Sequence, residues 1–485
     1  MIRNLLHSKY FKASFVYVVI SVLPSAINFL LLPLYLQHIS VEDYGYLIMI
    51  NFYGMTYNVF ACLQINIAAS TQYFNHDIDR NVFRVSIMIT TIMGVVVSFL
   101  LFAVTGDLFF SMYKNSISFY PLGLVVITSI ALSQLQSIIF LFLKNEYRVR
   151  ELGIYTLASV VINVTSQIIF VVYLDMGING IVYGGLIPRL IIVPSLMFIY
   201  SNWVLGKDIT VLFSKKVRVY AWNALKLSLP FLPTVLLHRL QTIGDRFVLE
   251  RFVSLEKIGQ YAVLITLLGI PNLVVHSILT AIRPKILALL EDKSMDSVRL
   301  LEFAYLGVIS IIFLFTMLLG ANLQWFTDNP KYLEVRNYLF VGILAAIPGT
   351  MLHFSHLTLM HATKTGWISK FSLISFLVQL ALLIFLTPTL GLWGALIAMA
   401  VAGLVNYGLN FKASNQVSGI KMETQTLSPI LTLFIIISLG MALTWLSGNI
   451  LFSSVAIFIF GILLIFVIFR KKIAPLSDLL MDKSK

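Results

Sequence analysis

The sequence predicts an all-α polytopic membrane protein with about 14 transmembrane helices. Three observations carry that prediction. Of the 485 residues, 59% are hydrophobic and 11% charged, with a mean hydropathy of +0.92. Apolar runs near the roughly 20 residues needed to cross a bilayer recur along the whole chain. When those runs are threaded back and forth, 26 of the 34 Lys and Arg fall on one side, 5 on the other and 3 inside helices. This positive-inside bias sets both termini in the cytoplasm. It also accounts for the net charge of +13 as topology, without a nucleic-acid partner. A β-barrel would need short alternating segments instead. The single cysteine, Cys62, excludes an intrachain disulfide or a multi-cysteine metal site.

The elements follow in order. The first helix, 13–36, comes after the basic "MIRNLLHSKYFK" and is too long for a signal-peptide core, so it reads as a retained span. The break "FNHDIDRNVFR" separates the second helix (44–73) from the third (83–103). The fourth (119–143) stops at "LKNEYRVREL", ahead of the fifth (152–173), and "LDMGING" leads into the sixth (179–200). Residues 201–223 form a cytoplasmic linker with room for a short surface helix. The seventh (224–250) and eighth (258–285) enclose a tight turn at Ser254. The ninth (303–320), tenth (337–360) and eleventh (368–388) precede "LTPTLGL" and the twelfth (391–412). A turn at Ser447–Asn449 parts the thirteenth (428–446) from the fourteenth (449–469). Pro24, Pro33, Pro230, Pro233 and the pair Gly269 and Pro271 gather in the first, seventh and eighth helices, where they either bend the helix to help a lobe open and close or are simply tolerated, as proline is in membrane helices.

An internal repeat organises these helices. At an offset of 214 residues, Ser40, Glu42, Gly45, Asn58, Gly177 and Gly180 fall on Ser254, Glu256, Gly259, Asn272, Gly391 and Gly394. The six identities sit at equivalent positions of two six-helix halves. Six is even, so both halves enter the membrane from the same side, as a parallel repeat about an axis along the membrane normal. The predicted organisation is an N-terminal lobe (1–200), the linker (201–223), a C-terminal lobe (224–412) and a segment 413–485 with the last two helices. Such lobes enclose a central cavity. Glu42 and Glu256 read as structural, each at a helix N-terminus where a carboxylate is favoured. Gly45 and Gly259 read as sites of close helix approach.

The seventh helix carries the densest intramembrane charge, in "HRLQTIGDRFVLERF". On a wheel, His238, Arg239, Gln241, Thr242, Asp245 and Arg246 share one arc of about 160°. A charge near the bilayer centre costs roughly 2.5–3.5 kcal/mol on the translocon scale, so these groups should face water or partner acids. Arginine suits a diphosphate because its planar fork donates paired hydrogen bonds. Arg239 and Arg246, with His238, are therefore substrate-binding candidates, and Arg189 in the sixth helix is another. Arg246 is also placed to snorkel or to fix packing. Asp245 is the candidate for ion pairing or coupling. A fainter stripe in the first helix, Ser21, Ser25 and Asn28, adds Ser25 and Asn28 as lumen candidates; such a stripe also serves as packing glue. His353, His356 and His361 lie in the tenth helix with no carboxylate in that same helix, so no metal site is predicted. No phosphate-binding loop with Lys and Ser/Thr is present and no cofactor is expected.

The stretches "LLLPLYLQHISVEDYGYL", "AASTQYF" and "IGDRFVLERFVSLEKIGQYAVL" resemble the Wzx-type polysaccharide flippases. Asp245-Arg246, Glu256, Gly259 and Tyr261 stand where that family has its Asp-Arg pair, acidic turn and Gly-x-Tyr. These flippases belong to the superfamily that also holds multidrug extruders and lipid II flippases. The resemblance implies translocation of polyprenyl-diphosphate-linked oligosaccharides to the outer leaflet, for O-antigen of lipopolysaccharide, capsule or exopolysaccharide. It implies the bacterial inner membrane, no enzymatic activity, and partners such as membrane lipids, a polysaccharide polymerase and chain-length proteins. Coupling to H⁺ or Na⁺, or uniport driven by the membrane potential, stays open. The rival readings are a multidrug or cation antiporter of the same superfamily, which would want lumen acids, and a membrane enzyme of polysaccharide assembly, which would want paired acids or a large outer loop.

Overall fold

The computed structural model describes residues 23, 27, 29–73, 78–112, 118–204, 214–292, 294–418, 430, 433, 435–437 and 450–470. Every regular element among them is helical. Nine of the helices are long and apolar enough to cross a membrane, and the second makes a tenth when its two pieces count as one span. This is a multi-pass membrane protein. The chain divides into two compact units, Met1–Glu256 and Lys257–Lys485. The seventh helix packs with the first unit, its Leu232–Ile243 piece lying against the second helix.

Within the first unit, the second helix runs Val41–Cys62 and resumes at Ile65–Thr71 after a 47° bend. It opens on a cap in which the Asp43 N–H donates to the Ser40 Oγ at 3.0 Å. The bend is made by Leu63 and Gln64, both left-handed at φ 45° and 53°. Helix 3 (Arg80–Ser111) closes against it at Gly94, where a Cβ would stand 2.7 Å from Leu63 Cδ1 and 3.1 Å from the Ala61 carbonyl oxygen. The fourth (Leu122–Asn145) and fifth (Val149–Gln167) both pack on the sixth (Gly177–Val204). A π-helical turn, Ile168–Tyr173, extends the fifth.

The second unit reuses these pairings. The eighth helix, Leu255–Glu291, continues as one element through Gly269 and Pro271. The ninth (Met295–Ala321) packs on the tenth (Arg336–His361), and the tenth and eleventh (Thr365–Leu390) pack on the twelfth (Leu392–Ser418). Third on fourth, fourth on sixth and fifth on sixth are the matching contacts of the first unit. The match extends to backbone conformation. Gly177 and Gly391, 214 residues apart, are the described glycines with positive φ, at 54° and 55°. Three residues on, a Cβ at Gly180 would meet the Phe170 carbonyl at 2.9 Å, and one at Gly394 the Leu386 carbonyl at 2.6 Å. Each half thus turns back on itself through the same left-handed glycine and the same tight crossing. Ile450–Arg470 packs on the ninth helix, outside the repeat.

A charged clamp ties helix ends of the first unit where the positive-inside rule puts the cytoplasm. The buried Arg84 pairs with Glu146 at 2.5 Å and donates to the Trp203 carbonyl at 3.1 Å and the Tyr73 hydroxyl at 3.1 Å. Arg148 forks onto Glu151 at 2.7 and 2.6 Å, and Tyr200 donates to the same carboxylate. The two guanidinium groups lie 4.7 and 5.1 Å from the Trp203 ring. Helices two to six all contribute. Arg84→Ala leaves Glu146, three-quarters buried, without its cation. It is expected to lower unfolding stability by about 3–5 kcal/mol, the range for breaking a buried pair. Denaturant unfolding in micelles measures this, and an unchanged midpoint refutes it.

Candidate functional site

The charged stretch of the seventh helix is built in pieces. Lys215–Ser228 is capped by the Ser214 Oγ, which accepts from the Val217 N–H at 3.3 Å. Pro230 then tightens Leu229–Phe231 into a 3₁₀ turn, as a residue without an N–H does. Leu232–Ile243 follows, and a second interruption at Gly244 leads into Asp245–Phe252. There the Phe247 N–H donates to the Gly244 carbonyl at 3.2 Å, an i to i+3 bond.

The two arginines of this stretch have different environments. Arg239 is exposed and has no hydrogen bond or ion pair among the described residues. Its charge reaches Cys62, beside the bend of the second helix. Arg246 is buried, and its NH1 donates to Asp245 Oδ1 at 3.0 Å. The same carboxylate oxygen accepts the Arg246 backbone N–H at 2.8 Å. Adjacent positions on a helix do not face one another, yet the long arginine folds back onto its neighbour. Glu250, one turn further, is also fully buried. The single polar arc of the wheel therefore separates into one open cation and one buried acid–base group.

Arg189 sits in the sixth helix beside Pro188 and donates to the Gly185 carbonyl of its own helix. Pro188 cannot donate to the carbonyl four residues back, at Gly184, and the Ser166 hydroxyl does so instead at 2.8 Å. Arg189 and Ser166 together thus satisfy a proline-disrupted stretch of backbone. His238 lies on the Leu232–Ile243 piece. Ser25 and Asn28 lie outside the described residues. Glu42 and Glu256 occupy the first turns of helices two and eight, and Gly45 and Gly259 are buried in the turn that follows each.

The second unit holds polar groups that the sequence reading passed over. Glu302 lies two turns inside the ninth helix, which begins at Met295 and not at 303. It is partly buried and has no hydrogen bond or ion pair among the described residues. Tyr305 and Tyr407 are within its electrostatic reach, and the Tyr305 hydroxyl donates to the Thr350 carbonyl at 2.7 Å. Asn406 and Asn410, both buried, bond to each other on the twelfth helix at 2.8 Å. The available signal was Glu302 and Tyr305 at i and i+3, one helical face. His276 and His353 meet edge to face at 6.3 Å, and His361 contacts Glu291 at 3.0 Å. Among the described residues no cluster of three or more His, Cys, Asp or Glu could hold a metal ion.

No protein-family model and no curated protein matches this chain. Solved structures do. The lipid II flippase MurJ, in an inward closed conformation, is similar over 95% of this chain and 98% of its own, with 13% identity and a TM-score of 0.65. The chain shares its fold with that structure. An inward-facing multidrug-resistance MATE transporter of the MOP superfamily is similar over 84% of this chain and 96% of its own, at 11% identity and a TM-score of 0.61. A mutant of the Vibrio cholerae MATE transporter VcmN aligns over 83% and 96%, at 15% identity and a TM-score of 0.53. These neighbours, one flippase and two transporters by name, align over nearly their whole lengths.

Proposed function

We propose that the protein is a flippase that carries polyprenyl-diphosphate-linked oligosaccharides from the inner to the outer leaflet for cell-surface polysaccharide assembly. It works by alternating access, with lobes 1–200 and 224–412, in the bacterial inner membrane and with both termini cytoplasmic. The diphosphate and sugars cross through the protein and the lipid chain stays in the bilayer. The observation that carries this reading is Arg239: an exposed guanidinium on the Leu232–Ile243 helix, which the sequence reads as part of the seventh span, with no acid to neutralise it among the described residues. An anionic head group is what such a cation recognises. MurJ, a lipid II flippase, supports a lipid substrate over a soluble one. A polymerase and chain-length proteins would receive the product.

The test is translocation of a fluorescent polyprenyl-diphosphate oligosaccharide in proteoliposomes. A potential supplies about 2.3 kcal/mol per charge per 100 mV, so an outside-positive potential should accelerate outward movement of the diphosphate. Glu302 favours a second reading, an H⁺- or Na⁺-coupled multidrug antiporter, because an unpaired intramembrane acid suits a cation. In the same vesicles that reading requires uptake of soluble organic cations, lost in Glu302→Gln, and no lipid translocation. That outcome would sink the flippase.

A further inference from the structure

The first unit contains a groove of about 450 Å³. One wall is the third helix from Ile89 to Ser98 and the other is the linker helix Lys215–Ser228, with Leu63 of the second-helix bend between them. The lining is almost entirely apolar, and Arg218 is its one charged residue. The walls stay open at their rims: Met93 is 62% exposed, Val97 64% and Trp222 58%. Met93 and Val97 belong to a membrane-spanning helix, so hydrocarbon and not water is what their exposed faces meet.

The linker helix supplies the complementary half. Over 215–228 it carries Lys215, Lys216, Arg218 and Lys226 and no acid. It buries Val217, Ala224 and Ser228 against the unit, while the four basic residues are exposed. Lys226 also lies 5.6 Å from the Trp222 ring. A basic amphipathic helix with an aromatic residue at its edge lies in the headgroup region of an anionic leaflet. Its basic residues fall on the side the positive-inside rule assigns to the cytoplasm.

We propose that this groove binds one acyl chain of an anionic glycerophospholipid, with the lipid phosphate held at Arg218. The lipid fills the space the protein leaves between the third helix and the linker, and fastens the linker to the first unit. The occupant is a bilayer phospholipid rather than the transported substrate, and the inference does not depend on what the protein carries. A neutral lipid would satisfy the apolar walls and leave Arg218 unanswered. A soluble anion would satisfy Arg218 and leave the walls empty.

Trp222 is the reporter. The full chain is placed in phosphatidylcholine vesicles containing a minor fraction of phosphatidylglycerol brominated on its acyl chains. The Trp222 share of emission is the difference between the wild type and Trp222→Phe. Quenching of that share is expected at an about fivefold lower mole fraction of brominated phosphatidylglycerol than of brominated phosphatidylcholine, the preference one basic residue confers. Arg218→Glu should abolish the preference. Ala221→Phe, which fills the groove, should reduce quenching by both lipids. Equal quenching by the two lipids in the wild type, or a preference that survives Arg218→Glu, overturns the proposal. Relief of quenching by stoichiometric unlabelled polyprenyl diphosphate overturns it too, since the groove would then hold the substrate's own chain. Arg218 is exposed and outside the packed core, so its variant decides the matter even where Ala221→Phe folds poorly.

Discussion

Arg239→Ala is expected to reduce translocation of a polyprenyl-diphosphate oligosaccharide at least about tenfold, while leaving the unfolding midpoint of the protein unchanged. The fold-change follows from a charge-assisted hydrogen bond, worth about 1.5–3 kcal/mol, lost between the guanidinium and a phosphate. The unchanged midpoint follows from the structure. Arg239 makes no hydrogen bond or ion pair among the described residues and is exposed, so its removal leaves no buried group unsatisfied. A packing role predicts the reverse, a lower midpoint with transport falling only as folded protein is lost. Arg239→Lys separates charge from geometry. Lysine keeps the cation and loses the paired donors, so an intermediate rate is expected. A full rate in Arg239→Ala removes the cationic contact from the mechanism.

Much of the fold was legible because lipid imposes two signals that need no tertiary information, apolar length and charge sidedness. The offset of 214 residues went further. It singled out Gly177 and Gly391 before either was known to be left-handed, and both are. Helix ends were less legible. Hydropathy marks the hydrocarbon layer, whereas a helix continues wherever its backbone hydrogen bonds continue. The ninth helix therefore starts at Met295 and takes in Glu302, and the third starts at Arg80 and buries Arg84. The bend of the second helix left no trace, since Leu63 and Gln64 are not residues that mark a left-handed turn. The seventh-helix wheel assumed one continuous α-helix. A turn at Gly244 divides it into two pieces, with Arg239 exposed on the first and Arg246 buried on the second.

Those different surroundings predict different phenotypes for neighbouring residues. Asp245→Ala is expected to cost about 3–5 kcal/mol of stability, because it leaves the Arg246 guanidinium, 10% exposed, without the carboxylate that pairs with it. Arg246→Ala should cost a similar amount, by taking the guanidinium away from a carboxylate that is 6% exposed. The double replacement Asp245→Asn with Arg246→Met removes both charges at nearly conserved volume, and should cost much less than the sum of the single variants. The non-additivity isolates the pair, since residues in one ion pair couple where distant ones add. Asp245→Asn alone then tests coupling, because the amide oxygen can still accept the Arg246 backbone N–H that the carboxylate accepts at 2.8 Å. A folded Asp245→Asn that transports normally, with the same response to H⁺ and Na⁺ gradients, assigns Asp245 to the architecture of the seventh helix. A folded variant that has lost its response to one ion assigns Asp245 to energy coupling. In that case the pair must open during the cycle.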